Sequence, residues 1–268
     1  MTTATHDHPV WLPYGPPRRT ARLRLFCFPH AGAGASAFRD WRDALGRDVD
    51  VLPVQLPGRG TRLDEPAHED MDSLVADTAK GLDPWLHDTP YAFLGHSMGA
   101  LLAYELTHHL VGRGPAHLVV SGHRAPHLRW PGYTGDTVSE EQAGRMLGLL
   151  EGPGADDREL GAAVRPVLRT DLSLCARHRH RPRPALNVPL TALGGADDPL
   201  VPEDTLTAWR DHTTGPFHSA ALPGGHFFLF TLQHVVRGML RSRLNPGTPA
   251  AAADGGAGPR ADKGAGTA

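Results

Sequence analysis

Residues 91–104 read YAFLGHSMGALLAY, a run in which an apolar strand pattern gives way to a helical one across a single serine. Tyr91 to Leu94 are apolar, as suits a buried strand of a parallel sheet. Beyond the serine, Leu102, Leu106 and Leu110 recur every four residues, the spacing of one helix face. Gly95-His96-Ser97-Met98-Gly99 therefore falls at a strand-to-helix corner. A G-x-S-x-G in that position is the nucleophile-elbow pattern, in which small residues let the chain turn sharply and push the serine hydroxyl outward. Taken without its flanks, the same pentapeptide is also compatible with a tight turn whose serine only caps the helix.

Working outward, short apolar runs alternate with helical patterns. Strands are expected over residues 23–28 (LRLFCF), 49–56 (VDVLPVQL), 91–94, 117–121 (HLVVS) and 190–194 (LTALG), with a weaker one over 218–222. Helices are expected over 38–45, 71–86, 98–111, 202–212 and 226–244. Pro202 suits a first helical position, where a missing amide hydrogen costs little. This alternation predicts an α/β fold with a mostly parallel central sheet covered by helices on both faces. The rhythm breaks over 124–184, which carries two helical patterns, 140–150 and 157–178, and no strand. Ser139 and Gln142 give the first of these a capping-box signature. An insertion of this kind either covers a site as a lid or adds a helical layer. The expected organisation is an N-terminal lead over 1–21, a core over 22–123 and 185–245, the insertion over 124–184 and a tail over 246–268. The tail has almost no large apolar residues and is expected to be disordered.

Composition narrows the class. The 268 residues are 40% hydrophobic and 21% charged, ordinary for a globular protein, and the net charge of −2 gives no global attraction to nucleic acid or an anionic membrane. Two cysteines, Cys27 and Cys175, do not make a disulfide framework and suit a reducing cytosol. The opening MTTATHDHPVWLPYG lacks a basic-then-apolar signal pattern. No apolar stretch approaches the roughly 20 residues that cross a bilayer. A cytoplasmic protein with no nucleic-acid or membrane partner is the expectation.

A serine hydroxyl is a weak nucleophile at neutral pH and needs a base to take its proton and a third group to orient that base. In serine hydrolases built on such sheets, the groups follow in the order Ser, Asp or Glu, His. After Ser97, LTALGGADDPLVP sets Asp197 and Asp198 just beyond a predicted strand, at the end of a sheet where sites assemble. Asp198 is chosen because the loop at Pro199 and Val201 must turn toward the histidine; Asp197 remains the alternative. Of 17 histidines, His226 is singled out by chain order, by Gly224 and Gly225 before it, and by its place after the last strand. The developing oxyanion needs donors, and the N–H of Met98, directly after the serine, is one. The glycine-rich loop PHAGAGAS after the first strand supplies the other, assigned to Ala31. The same glycines also fit a merely flexible connection.

LRLFCFPHAGAGASAFRDW, VLPVQLPGRGTRLDEP, FLGHSMGALLAYEL, PVLRTDLSL, LTALGGADDPLVP and LPGGHFFLF occur in one order along the chain. Together they resemble the type II thioesterases that accompany polyketide synthases and nonribosomal peptide synthetases. The resemblance spans about residues 22–244 and implies the α/β-hydrolase fold with a helical lid. It implies Ser97, Asp198 and His226 as the triad, and the amides of Met98 and Ala31 as the oxyanion hole. The activity implied is hydrolysis of stalled or wrong acyl groups from the phosphopantetheine arm of a carrier protein, with no metal and no cofactor of the enzyme's own. Related serine hydrolases that release finished chains, cleave free esters or acyl-coenzyme A, or transfer the acyl group share this triad. The short N-terminal lead and the tail suggest a free-standing enzyme. Two departures from the family pattern stand out: an alanine in PHAGAGAS where many relatives have a second consecutive glycine, and Thr170 in PVLRTDLSL where alanine is common. The second is expected to influence which acyl chains are admitted.

Other features have plainer readings. RHRHRPRP, residues 177–184, is a basic cluster, either a solvated helix end or a patch that steers an acidic carrier protein. His178 and His180 have no Cys, Asp or Glu beside them in sequence to complete a metal site. Arg59 and Arg62 are expected to pair with Asp64 or Glu65. Cys27 and Cys175 are expected to pack, and His30 and His96 to be structural.

Overall fold

A computed structural model describes residues 10–128, 138, 139, 141 and 158–244. Six strands form one sheet: β1 (Leu23–Phe28), β2 (Val49–Pro53), β3 (Tyr91–His96), β4 (His117–Ser121), β5 (Leu190–Gly195) and β6 (Phe217–Leu222). Their order is β2-β1-β3-β4-β5-β6, and every pairing is parallel. Parallel neighbours require crossover connections, which here carry α1 (Met71–Leu82), α2 (Met98–His109), α3 (Arg158–Arg177) and the short α4 (Glu203–Thr207). Two helices follow β6, α5 (Phe228–Thr231) and α6 (Gln233–Leu244).

The period-two geometry of the strands divides the core in two. Phe26 and Phe28 of β1, Tyr91 and Phe93 of β3, and Leu118 and Val120 of β4 join the cluster that contains Leu74, Leu82 and Leu102 of α1 and α2. The alternate residues Leu25, Cys27, Ala92, Leu94 and Val119 face Phe38, Trp41, Val236 and Leu240. Phe28 and Phe93 meet edge to face at 5.3 Å, a geometry worth about 0.5–1.5 kcal/mol beyond burial. α1 buries one stripe, Met71, Leu74, Val75, Thr78, Ala79 and Leu82, and Asp70 caps its start by accepting the Ser73 N–H at 2.8 Å. α2 is buried along most of its length, from Met98 through Thr107. Its Glu105 therefore needs partners, found in His178 at 3.0 Å and in Arg183.

Among the described residues the predicted elements are present, and several boundaries move. β2 ends at Pro53 rather than at residue 56. The segment expected to be helical over 38–45 is a 3₁₀ helix, Ala35–Trp41. α1 stops at Leu82, and a 3₁₀ turn, Asp83–Trp85, follows around Pro84, which has no amide hydrogen to continue the ladder. Pro202 precedes α4 rather than opening it. The expected helix over 226–244 divides into α5 and α6. The helix expected over 157–178 is α3, with Pro166 inside it. Thr170 donates its hydroxyl hydrogen to the Pro166 carbonyl at 3.1 Å, so this side chain is engaged with its own helix. The helix expected over 140–150, with the Gln142 side of its capping box, lies outside the described residues, as does the tail from 245 onward. Among the described residues, no helix is long and apolar enough to cross a membrane.

Candidate active site

β3 carries the chain to Ser97 at the carboxyl end of the sheet. Ser97 sits at φ 54°, ψ −119°, one of two non-glycine residues with positive φ among those described. The elbow is held by the Ser97 N–H donating to the Ser121 carbonyl at 2.7 Å and by the Ala100 N–H donating to the Ser97 carbonyl at 2.9 Å. Its glycines are required by close approach. A Cβ on Gly95 would lie 2.0 Å from the Gly99 carbonyl oxygen, and one on Gly99 would lie 2.2 Å from the Phe28 carbonyl oxygen.

The loops after β5 and β6 bring the other two groups to the serine. His226 Nε2 is 3.0 Å from Ser97 Oγ, and His226 Nδ1 is 2.7 Å from Asp198 Oδ2. Asp198 Oδ1 accepts the Leu200 N–H at 2.9 Å, which fixes the carboxylate plane. Both side chains are almost wholly buried, at 2% and 0% exposure, so little water competes for this contact. Asp197 turns the other way, and its Oδ2 accepts the Gly224 N–H at 3.2 Å. Chemically, a base that touches a hydroxyl on one nitrogen and a buried carboxylate on the other can remove the hydroxyl proton and hold the resulting positive charge.

Aromatic rings enclose the histidine. Phe227 packs edge-on against His226 with centroids 5.1 Å apart, and His30 meets Phe227 at 5.1 Å and Phe230 at 5.7 Å. His96 lies 5.3 Å from His226, with its Nδ1 3.0 Å from Ser121 Oγ. Burial lowers His30 to about 4 and moves His96 well below the usual histidine range. Both rings are therefore neutral near pH 7 and leave a protonated His226 unopposed.

Of the two proposed oxyanion donors, one directly follows the serine in the chain and the other lies in the loop after β1, the strand that pairs with β3. Met98 opens α2, and Ala31 is buried in the loop after β1. Among the described residues, neither N–H has a hydrogen-bond acceptor. The loop is tied by hydrogen bonds at several points. Ala33 N–H donates to the His30 carbonyl at 3.1 Å and Gly32 has φ +78°, so His30 to Ala33 form a type II turn. Gln55 Oε1 accepts the Ala35 N–H at 3.1 Å, and Asp171 Oδ2 accepts the Gly32 N–H at 2.8 Å.

Arg59 departs from its expected partner. It binds Asp171, 112 residues away, with Nη1 to Oδ2 at 2.5 Å and Nη2 to Oδ1 at 2.9 Å, rather than Asp64 or Glu65. Arg62 does pair with Glu65. The basic segment 177–184 is also partly neutralised, since His178 and Arg183 meet Glu105 and Arg181 meets Asp72. Among the described residues, no group of three or more His, Cys, Asp or Glu side chains is arranged to hold a metal ion. Asp171, Gln55 and Phe227 were not singled out from the sequence. A signal for Asp171 was present: it lies on the face of α3 that carries Leu168, Leu172 and Cys175, where an acid needs a partner.

This strand order, with an elbow serine at the carboxyl end of a central strand and crossover helices on both faces, is that of the α/β-hydrolases. Within that class the thioesterase domain family matches residues 23–242, and the chain belongs to it. Thioesterase PikA5 of Streptomyces venezuelae is 37% identical over 236 residues, covering 86% of this chain and 84% of the relative. RedJ, a thioesterase from the prodiginine biosynthetic pathway of Streptomyces coelicolor, is 45% identical with a TM-score of 0.74, covering 82% of this chain and 85% of RedJ. BorB, a type II thioesterase from the borrelidin biosynthetic cluster, is 37% identical with a TM-score of 0.79, covering 88% of this chain and 98% of BorB.

Proposed function

We propose that this chain is an editing thioesterase that hydrolyses aberrant or stalled acyl groups from the phosphopantetheine arm of acyl or peptidyl carrier proteins in polyketide or nonribosomal peptide biosynthesis. The observation that carries this reading is the hydrogen-bonded series Ser97, His226, Asp198 at the elbow. The membership of the thioesterase family and the biosynthetic settings of RedJ and BorB point to the substrate class.

In this mechanism Ser97 Oγ attacks the thioester carbonyl carbon while His226 Nε2 takes the hydroxyl proton. Asp198 keeps Nδ1 protonated and stabilises the imidazolium. The N–H groups of Met98 and Ala31 hold the oxyanion, each such donor being worth about 100- to 1,000-fold in turnover. Collapse of the tetrahedral intermediate breaks the carbon–sulfur bond. The departing sulfur takes the proton from His226 and leaves as the free thiol, which returns the imidazole to its neutral form for the second step. Water then gives a proton to His226 and attacks the acyl-serine carbonyl, and Ser97 recovers its proton as the acid departs. These steps call for no metal and no cofactor of the enzyme, since the pantetheine belongs to the partner. The cytosol, where carrier proteins and free thiols coexist, is the proposed location.

Intact-protein mass spectrometry of an acetyl-loaded carrier protein tests this directly. The wild type removes the acyl mass and leaves the pantetheine arm, and Ser97→Ala does not. A wild type that cleaves a simple ester but leaves the loaded carrier intact, with acetyl and with longer chains, would overturn the carrier-protein assignment while retaining the triad.

A further inference from the structure

The oxyanion loop is held by a residue of the insertion. The peptide unit between Ala31 and Gly32 is the central one of the type II turn, the unit whose rotation interconverts turn types. Both its polar ends are taken. His30 Nδ1–H donates to the Ala31 carbonyl at 3.0 Å, and the Gly32 N–H donates to Asp171 Oδ2 at 2.8 Å. A flipped peptide would turn the Ala31 carbonyl oxygen toward the Asp171 carboxylate, two acceptors facing each other.

Asp171 is itself immobilised. It is 1% exposed, and Arg59 grips both carboxylate oxygens. The Arg59 carbonyl accepts from Gln55 Nε2 at 2.7 Å, and Gln55 Oε1 holds the Ala35 N–H at the far end of the same loop. α3 also lies directly against the turn, because a Cβ on Gly32 would sit 3.1 Å from Leu168 Cβ and from Val164 Cγ1. Two separate parts of the chain, the segment after β2 and the insertion helix, thus converge on the loop after β1.

We propose that Asp171 is a positioning residue for the oxyanion hole, fixing through the Gly32 N–H the turn that presents the Ala31 donor, with Arg59 holding the carboxylate in register. The insertion then contributes to transition-state stabilisation. The proposal deepens the reading above and rests on Ser97 as nucleophile and Ala31 as donor. It makes no use of the carrier protein.

The test compares wild type, Ser97→Ala, Asp171→Asn and the paired Arg59→Met with Asp171→Leu on a small acyl thioester, acetyl N-acetylcysteamine. The readouts are kcat, KM, thermal midpoint and affinity for an alkyl trifluoromethyl ketone, whose serine adduct carries the oxyanion. The pair removes both charges together, so no buried charge is left alone to unfold the protein. It is expected to fold and to lose about 100-fold in kcat with KM within about three-fold, and to bind the ketone more weakly by the same factor as kcat/KM. Asp171→Asn, which keeps the shape and one acceptor oxygen, is expected to lose about ten-fold. Folded variants with kcat within about two-fold of wild type, or with reduced kcat and unchanged ketone affinity, overturn the proposal. Undiminished turnover by Ser97→Ala would instead overturn the nucleophile and everything built on it.

Discussion

Asp197 and Asp198, adjacent in the chain, hold two different points of one histidine loop: Asp198 Oδ2 lies 2.7 Å from His226 Nδ1, and Asp197 Oδ2 accepts the Gly224 N–H at 3.2 Å. The second contact is doubled by the Asp197 N–H, which donates to the Gly224 carbonyl at 3.0 Å. One aspartate thus faces the imidazole and the other the backbone that carries it.

The two substitutions separate these duties. Asp198→Asn is expected to fold and to lose about 10⁴-fold in kcat, because an amide no longer enforces the productive tautomer. Asp197→Asn keeps an acceptor for Gly224 and the backbone bond, and is expected to lose less than about ten-fold. Steady-state kinetics on a small acyl thioester reads both, and equal losses would mean that the roles are misassigned.

Glycine substitutions give effects of opposite sign. Gly95→Ala puts a Cβ 2.0 Å from the Gly99 carbonyl oxygen, a backbone atom that cannot give way without moving the elbow. A loss of about 4 kcal/mol or more, or no folded protein, is expected. Gly238, exposed within α6, has nothing within 4 Å of its Cβ position and no positive φ. Gly238→Ala is expected to stabilise by about 0.5–1 kcal/mol, through the smaller entropy an alanine loses in a helix. Thermal unfolding of both variants measures the contrast.

Glu105 gives a pH dependence with a definite sign. Burial pushes its carboxyl up, but hydrogen bonds from His178 and Arg183 and their charge outweigh this, taking it from 4.5 down to about 2. With the folded value below the unfolded one, the unfolded chain binds more protons in between, so stability rises with pH there. The contribution is complete above about pH 4.5 and is lost as pH falls toward 2. Glu105→Gln is expected to cost about 3 kcal/mol near pH 7, where it leaves the Arg183 guanidinium without its counter-charge. The gap from wild type should narrow from pH 5 downward in denaturant titrations. A pH-independent gap would mean that packing, not charge, carries the effect.

Much of the site was legible because its signals are local. The elbow needs glycines at fixed offsets from Ser97, a buried strand before it and a helix after it, all within 14 residues of quoted sequence. The strand runs, separated by crossover helices, sufficed for a parallel sheet. Chain order then pointed to Asp198 and His226, because in a parallel sheet successive strands deliver their following loops to the same end. Boundaries were less legible, as at residues 35–41, where α and 3₁₀ geometry share nearly the same apolar spacing.

By itself, the sequence determined the layered α/β architecture, the elbow and the candidate residues of the triad, since apolar periodicity and glycine spacing act over a few residues. Only the tertiary structure decided partnerships between residues far apart. Arg59 has acidic residues five and six positions away, yet it pairs with Asp171 across 112. Glu105 of α2 gathers two partners from beyond α3. Proximity in sequence favours the near carboxylate, but a buried guanidinium takes the partner that the packing of α3 against the loops after β1 and β2 delivers, because inside the protein an unpaired charge costs more than closing a long loop.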